Sequence, residues 1–315
     1  MESDFILVVG SCNVDLTCYV QRMPVVGETM YGDSFHQRYG GKGANQAVAA
    51  KKLGVPVCMV AKVGEDSYGK SYVELLEQIG VDTKEIHIVP SVHTGIAQIV
   101  VSGNGANLIV IIPGANKYLC VDDVQSESIK HLLSTAEVGL FQFEIDVETT
   151  QKAMEIMKSH GKGTTILNCA PAIKGDKKIH SLADILILNE IEVFGTVGVG
   201  VSNPCDAEAA MQKLLELGSN VVIITLGSKG AVYATSTDHR VIHVPVSPVD
   251  QPVDTTGAGD AFCGALAYMF IKCKHLSLLQ KISFACKAAR HSVLGQGTHD
   301  TFPTNESVQQ FLQSD

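Results

Sequence analysis

Val253-Asp-Thr-Thr-Gly-Ala-Gly-Asp260 runs straight into Ala261–Ile271, a segment that is apolar nearly all round. A helix without a polar face belongs inside the protein, so this stretch predicts a buried central helix. Its start is the chemically informative end. Gly257, Ala258 and Gly259 have little or no side chain, so their backbone N–H groups can approach a ligand closely, and the helix dipole adds partial positive charge there. That arrangement suits phosphate. Asp260 falls in the first helical turn, where a carboxylate beside developing phosphoryl charge is repulsive unless it takes the proton of an attacking hydroxyl. The plain alternative is an acid that complements the helix dipole behind turn-forming glycines.

Upstream, β-branched and apolar runs recur with helical stretches between them. Phe5–Val9, Val57–Val63, Val138–Phe141, Thr164–Leu167, Ile185–Leu188 and Val221–Thr225 read as buried strands of a parallel sheet. The helices Ala44–Leu53, Tyr68–Ile79, Val147–His160 and Ala207–Leu217 each stop at a glycine, Gly54, Gly80, Gly161 and Gly218 in turn, where a left-handed residue is wanted. This alternation implies right-handed crossovers and an α/β fold of three layers, α/β/α, around one open, mostly parallel sheet. Ligands are then expected at the carboxyl ends of the strands.

Two stretches break the rhythm. Val14–Tyr39 and Thr94–Ile112 carry alternating apolar residues and the turn signals Pro24, Gly27, Gly32, Gly103, Asn104 and Gly105. They read as antiparallel excursions, the second a hairpin of Thr94–Val101 and Asn107–Ile112 around Ser102-Gly-Asn-Gly105. A small β-sheet lid over a cleft is expected from residues 14–39 and 94–112. No linker, repeat or low-complexity tract divides residues 1–315, so the lid is an elaboration of a single domain.

A hydrophobic content of 45% over 315 residues is ample for a large core, and a formal charge of −9 offers no basic stripe for nucleic acid or an anionic membrane. Phe5–Val9 is too short for a signal segment, and no long uncharged apolar run follows, so a cytoplasmic protein is expected, with the nucleus also open. The nine cysteines show neither CxxC pairs nor metal-ligand spacing. Free buried thiols in a reducing compartment fit them, and a catalytic thiolate needs a neighbouring base.

A second glycine-rich block, Tyr39-Gly-Gly-Lys-Gly-Ala-Asn45, opens the first long helix. It is not a P-loop, because Gly43 follows Lys42 where a Ser or Thr binds Mg²⁺. Nor is there a dinucleotide fingerprint, since the first strand leads into Gly10-Ser-Cys-Asn-Val-Asp15. Gly40–Asn45, with Asn13 and Asp15, offers instead the paired donors and acceptors that a polyol needs. Turn glycines and strand-end caps are the alternative.

Gly40–Asn45 and Asp254–Asp260, in this order and this context, resemble the two signatures of the ribokinase (PfkB) family of carbohydrate and nucleoside kinases, and the likeness runs from the first strand through Gly297. The resemblance implies an ATP-dependent sugar kinase that takes D-ribose and ATP and moves the γ-phosphoryl group to the sugar 5-hydroxyl. A deoxyribose, ketohexose or nucleoside kinase, or a catalytically silent binding protein on the same fold, are the competing readings. It implies Asp260 as the base and Gly257, Ala258 and Gly259 as the anion hole. Asn13, Val14, Asp15, Gly40, Gly41, Lys42, Gly43, Ala44, Asn45 and Glu144 match positions around the sugar.

Asn189, Thr225, Leu226, Gly227, Ser228, Lys229, Gly230, Gly259 and Cys286 match the nucleotide side, Cys286 standing where related sequences often carry Asn. Asn168 falls in an active-site stretch without a specific role. Asn189 and Glu192 match an element that organises Mg²⁺ indirectly; a helix cap followed by a first-turn acid is the alternative. An activating K⁺ is implied at Asp254, Thr256, Ser292, Gly295, Gly297 and Thr301. A homodimer paired through the β lid is implied as well.

Overall fold

The computed structural model describes residues 4–161 and 163–313; Lys162 and the two ends of the expected 1–315 unit lie outside the described residues. The chain runs β1 (Ile6–Val9), β2 (Asn13–Val20), β3 (Ser34–Gly40), α1 (Lys42–Lys52), β4 (Val57–Gly64), α2 (Ser67–Ile79), β5 (Asp82–Val89), β6 (Gly95–Ser102) and β7 (Asn107–Ile112). Then come α3 (Val121–Val124), α4 (Glu127–Thr135), β8 (Val138–Phe141), α5 (Val147–His160), β9 (Thr164–Asn168), α6 (Lys177–His180), β10 (Ile185–Asn189), α7 (Glu190–Val197) and α8 (Ala207–Leu215). The last elements are β11 (Val221–Thr225), β12 (Ala231–Thr235), β13 (Ile242–Val244), α9 (Ala258–Lys272), α10 (Leu278–Ser292) and α11 (Asn305–Gln313).

Nine strands form one sheet in the order β13-β12-β11-β10-β9-β8-β1-β4-β5. Pairing is parallel from β5 across to β11 and antiparallel for β12 and β13. Successive side chains of a strand face opposite ways, so Ile6 and Val8 enter a core with α1, α2, α9 and α10, while Leu7 and Val9 enter another with α4, α5, α7 and α8. This is the α/β/α fold that the strand and helix alternation predicts. The four stop glycines all take positive φ, from 69° at Gly161 to 107° at Gly218. Three strands escape the sequence reading. β5 and β13 are the two edges of the sheet, where half-exposed strands such as Asp82-Thr-Lys-Glu-Ile-His-Ile-Val89 carry polar residues and lack the continuous apolar run of a central strand, and β12 is the short strand Ala231-Val-Tyr-Ala-Thr235 beside β13.

Residues 14–39 and 94–112 contribute the strands of a second, four-stranded sheet, ordered β3-β2-β6-β7. One expectation fails here. The central pair, β2 and β6, is parallel, and only the flanking pairs are antiparallel. The reason is topological: β2 follows β1 and β6 follows β5, both from the carboxyl end of the parallel sheet, so both excursions set out in the same direction. Thiols also depart from expectation, because Cys120 and Cys205 are exposed while six others are buried. Among the described residues no helix is long and apolar enough to cross a membrane.

Helix α9 is buried because α1 and α10 flank it and the sheet covers it. Its approach to α1 is unusually close at Gly264, where a Cβ would lie 2.7 Å from Ala49 Cβ, 2.8 Å from Ala50 N and 2.9 Å from Gln46 O. On an exposed helix Gly→Ala would stabilise by about 1 kcal/mol. Here Gly264→Ala is expected to destabilise by about 1–3 kcal/mol through overpacking, read as a lowered midpoint in urea unfolding; an unchanged or raised midpoint contradicts the packing account.

Candidate active site

The parallel sheet changes winding direction between β1 and β8: from β1 the chain moves outward to β4 and β5, then returns to β8 and proceeds through β9, β10 and β11. At such a switch point the loops leaving two adjacent strands diverge and open a crevice at their carboxyl ends. Ser11, Asn13 and Asp15 follow β1, and Glu144 follows β8. A single oxygen of Glu144, Oε2, accepts from Ser11 Oγ at 2.6 Å, Lys42 N at 2.9 Å and Asn13 Nδ2 at 3.2 Å. The Asn13 amide is oriented from its other end, where Asn116 Nδ2 donates to Asn13 Oδ1 at 2.7 Å. Gly41 must be glycine, with φ at 90° and any Cβ only 2.7 Å from Asn13 N. This close passage delivers Lys42 and α1 onto the crevice, with Val14 and Ala44 buried behind it, Gly40 against the Asp15 carboxyl and Gly43 against the backbone of Gly10 and Ser11.

Asp260 faces the same crevice from the first turn of α9, whose start is made by Gly257 in the left-handed conformation, φ 77°. Asn45 Nδ2 donates to Asp260 Oδ2 at 2.9 Å and Gln46 Nε2 to Oδ1 at 3.0 Å. Gln46 also reaches Asn168 Oδ1 at 3.2 Å and accepts from Gln142 Nε2 at 2.7 Å. At the helix start Ala261 N opens the ladder on Gly257 O at 2.8 Å, and Ala258 N makes a longer 3.3 Å bond to Thr255 O. Among the described residues no protein acceptor takes the N–H of Gly257 or Gly259, and a Cβ at Gly259 would meet nothing within 4 Å. Open space and unshared N–H groups at a helix N-terminus make an anion seat.

The charges are concentrated. Burial pushes the Asp260 carboxyl above its usual range, against the pull of Lys42 and the Asn45 and Gln46 donors. Burial alone would lower Lys42, but the carboxylates of Asp260, Glu144 and Glu192 outweigh it and hold the ammonium charged. Burial raises Asp15 to about 7, with Glu144 and Asp260 adding to it and Arg38 opposing. Glu192 is likewise raised by burial, with Lys42 pulling the other way. One buried cation thus sits among several carboxylates. The arrangement offers a carboxylate to accept a proton and suits an incoming cation that travels with a polyanion.

Asn189 and Glu192 form a reciprocal capping box, each side chain on the other's backbone N–H at 2.8 Å. The helix-cap alternative therefore describes their bonding, yet Glu192 also feels Lys42 and Asp260 across the crevice, so it faces the site as well. Asp254 joins the two loops assigned to a cation: Oδ1 accepts from Thr256 N at 2.9 Å and Oδ2 from Gly297 N at 3.0 Å. Thr301 Oγ1 donates to Gly297 O at 3.1 Å, Gly295 packs on Thr301, and Ser292 Oγ turns back to Ala289 O at 2.8 Å. Thr225, Leu226 and the short turn Gly227–Lys229 lie at the carboxyl end of β11, closed by Gly230. Lys229 is tied to Ser202 O and Asn203 Oδ1, at 2.7 and 2.9 Å. Cys286 is buried in α10 with its thiol pushed up to about 12, and burial also raises Cys12, Cys58, Cys169, Cys263 and Cys273, so none of these is an activated thiolate.

Five site residues escaped the sequence reading: Ser11, Gln46, Asn116, Gln142 and His299. Ser11 and Gln46 adjoin residues that were singled out, and strand-end or first-turn position is a signal that finds them. Asn116 and His299 carry no local signal; His299 reaches Asn45 across 254 positions of sequence, its Nε2 2.9 Å from Asn45 Oδ1. Burial holds its imidazole down to about 4 and hence neutral.

The profile of the pfkB family carbohydrate kinases matches residues 3–305. The chain is 38% identical over 308 residues to the ribokinase of Mus musculus, covering 98% of this chain and 94% of that one. It is 37% identical over 308 residues to the deoxyribokinase of Salmonella typhi, covering 98% of each. The solved structure of Arabidopsis thaliana ribokinase complexed with ribose and ATP superposes with a TM-score of 0.91 at 30% identity, covering 100% of both chains.

Asp15 carries a stability cost that has a sign. Its carboxyl is raised from 3.8 to about 7, so below pH 4 both folded and unfolded forms are protonated and nothing is lost. Between pH 4 and 7 only the unfolded form ionises, so stability declines as pH rises through that window and stays reduced above it. Asp15→Asn is therefore expected to be more stable than the parent at pH 8, by on the order of 1 kcal/mol, with the gain gone at pH 4. Thermal melts at the two pH values check this, and a pH-independent difference contradicts it.

Proposed function

Since the chain belongs to the pfkB family of carbohydrate kinases, we propose that it transfers the γ-phosphoryl group of ATP to the 5-hydroxyl of D-ribose, giving ribose 5-phosphate and ADP. The observation that carries this is Asp260, buried at an anion-seating helix start, bonded by Asn45 and Gln46 and close enough to Lys42 and Glu144 to feel their charges. Glu144 spends Oε2 on three protein donors, and among the described residues none reaches Oε1, which is left to accept from sugar hydroxyls. Asp260 takes the proton of the attacking hydroxyl as its bond to phosphorus forms. Its raised affinity for a proton, a result of burial, suits a base. Gly257 and Gly259 N–H groups, with the charged Lys42, stabilise the phosphoryl group in transit. Proximity does most of the rest.

Among the described residues no three of His, Cys, Asp and Glu cluster as a metal cage. Mg²⁺ therefore fits as a companion of the nucleotide phosphates, with Asn189 and Glu192 reaching it through water; when bound it neutralises phosphate charge. The carboxylate, hydroxyl and carbonyl oxygens of Asp254, Thr256, Ser292, Gly295, Gly297 and Thr301 suit a hard monovalent cation such as K⁺, held where two loops are already tied together. The four-stranded sheet acts as a lid over the sugar, and the domain is one unit with that elaboration. Its edge strand β7 exposes Leu108, Ile109, Val110, Ile111 and Ile112, a bare edge that a second copy would cover, giving a homodimer. A cytoplasmic location fits the free thiols.

Deoxyribose is the second reading, favoured by the near-equal identity to the deoxyribokinase, 37% against 38%. A coupled assay across ribose, deoxyribose, fructose and a nucleoside separates the two by kcat/KM. Asp260→Asn is expected to lose at least about 10³-fold in turnover with ribose still bound, and near wild-type turnover contradicts the base assignment. Ile109→Lys with Ile111→Lys is expected to convert a dimer to a monomer in light scattering; a parent protein that is already monomeric sinks the dimer proposal.

A further inference from the structure

We propose that His299 is a positioning residue that fixes the orientation of the Asn45 carboxamide and, through it, the orientation of the Asp260 carboxylate; this rests on the reading of Asp260 as the general base. Asn45 lies between the two groups, with Nδ2 2.9 Å from Asp260 Oδ2 and Oδ1 2.9 Å from His299 Nε2. The oxygen and nitrogen of a carboxamide have nearly the same shape, so packing alone does not decide which end meets the carboxylate. The flipped amide would set carbonyl oxygen against carboxylate oxygen in a buried site, two acceptors without a proton between them. An N–H on His299 Nε2 removes that state, because only an acceptor satisfies it.

Main chain and ring of His299 are both held. Lys52 Nζ, from the end of α1, donates to the main-chain carbonyl of His299 at 2.6 Å, and the ring centroids of Tyr72 and Phe302 lie 6.3 and 6.1 Å from that of the imidazole. The other oxygen of Asp260 has its own oriented amide, Gln46, whose carbonyl end is claimed by Gln142 Nε2 at 2.7 Å. Each carboxylate oxygen thus meets an amide whose far end is pinned by a third side chain: Gln142 for Gln46, His299 for Asn45. His299 belongs to the turn that follows Gly297, so the loop joined to Asp254 also reaches the base by this route.

Steady-state kinetics of the full chain with ATP and D-ribose test the role. His299→Leu removes the donor and is expected to lower kcat about 10–100-fold with the KM for ATP within about twofold. His299→Gln, which retains an N–H donor, is expected to recover kcat to within about threefold of the parent. In an Asn45→Ala background His299→Leu is expected to cost nothing further. Parental kcat in His299→Leu, an equal loss in the Leu and Gln variants, or an undiminished loss in the Asn45→Ala background each overturns the proposal. If His299→Leu does not fold, His299→Met is read by the same criteria. Asp260→Asn is assayed in parallel: an active Asp260→Asn brings down the base assignment itself, whereas an inactive one beside an indifferent His299→Leu brings down only the positioning role.

Discussion

The close contact between α1 and α9 sets the distance on which the whole site depends. Gly264 lets the backbone of α9 lie against Ala49, Ala50 and the carbonyl of Gln46, and one turn earlier on α9 stands Asp260. At that separation the amides of Asn45 and Gln46 meet the two carboxylate oxygens at 2.9 and 3.0 Å. A helix pair spaced by ordinary side chains lies 8–10 Å apart and would leave the acid to water. Here the amides replace water, so the carboxylate is buried, hydrogen-bonded and short of solvent at once. Such a group takes up a proton more readily than a surface acid does, and it is already aimed.

Charge governs the next shell. Asp15, Glu144, Glu192 and Asp260 share a crevice with one buried ammonium, Lys42. Burial first, and then the neighbouring carboxylates of Glu144 and Asp260, raise Asp15 to about 7. A nucleotide with its divalent cation and a sugar rich in hydroxyl donors would relieve that repulsion. Folding stability is surrendered to keep the carboxylates together.

The fold's topology explains why these residues meet at all. The sheet reverses its winding between β1 and β8, so Ser11 and Asn13 from one loop face Glu144 from another more than a hundred residues away. The same carboxyl edge launches both excursions that build the small sheet, which is why β2 and β6 run parallel above the crevice. The small sheet and the cluster around Glu144 follow from one choice of strand order.

Much of this was legible in the sequence. Buried parallel strands are continuous β-branched runs, helix ends are marked by glycines that must turn left-handed, and an all-apolar helix behind Gly-Ala-Gly-Asp declares a central element with an anion-seeking start; each is a property of neighbours along the chain. The edge strands β5 and β13 were not legible, since a half-exposed strand lacks a continuous apolar run, and neither was β12, whose five residues mix small, aromatic and polar types. Nor were the residues that hold the far ends of the site's amides. Asn116, Gln142 and His299 look like ordinary polar residues until folding brings them within hydrogen-bond reach of residues tens to hundreds of positions away. That an acid follows a glycine turn at the start of a buried helix was written locally, because backbone conformation is a local matter; how the acid is held was decided only by tertiary structure, because an amide's orientation is set by whatever lies at its far end.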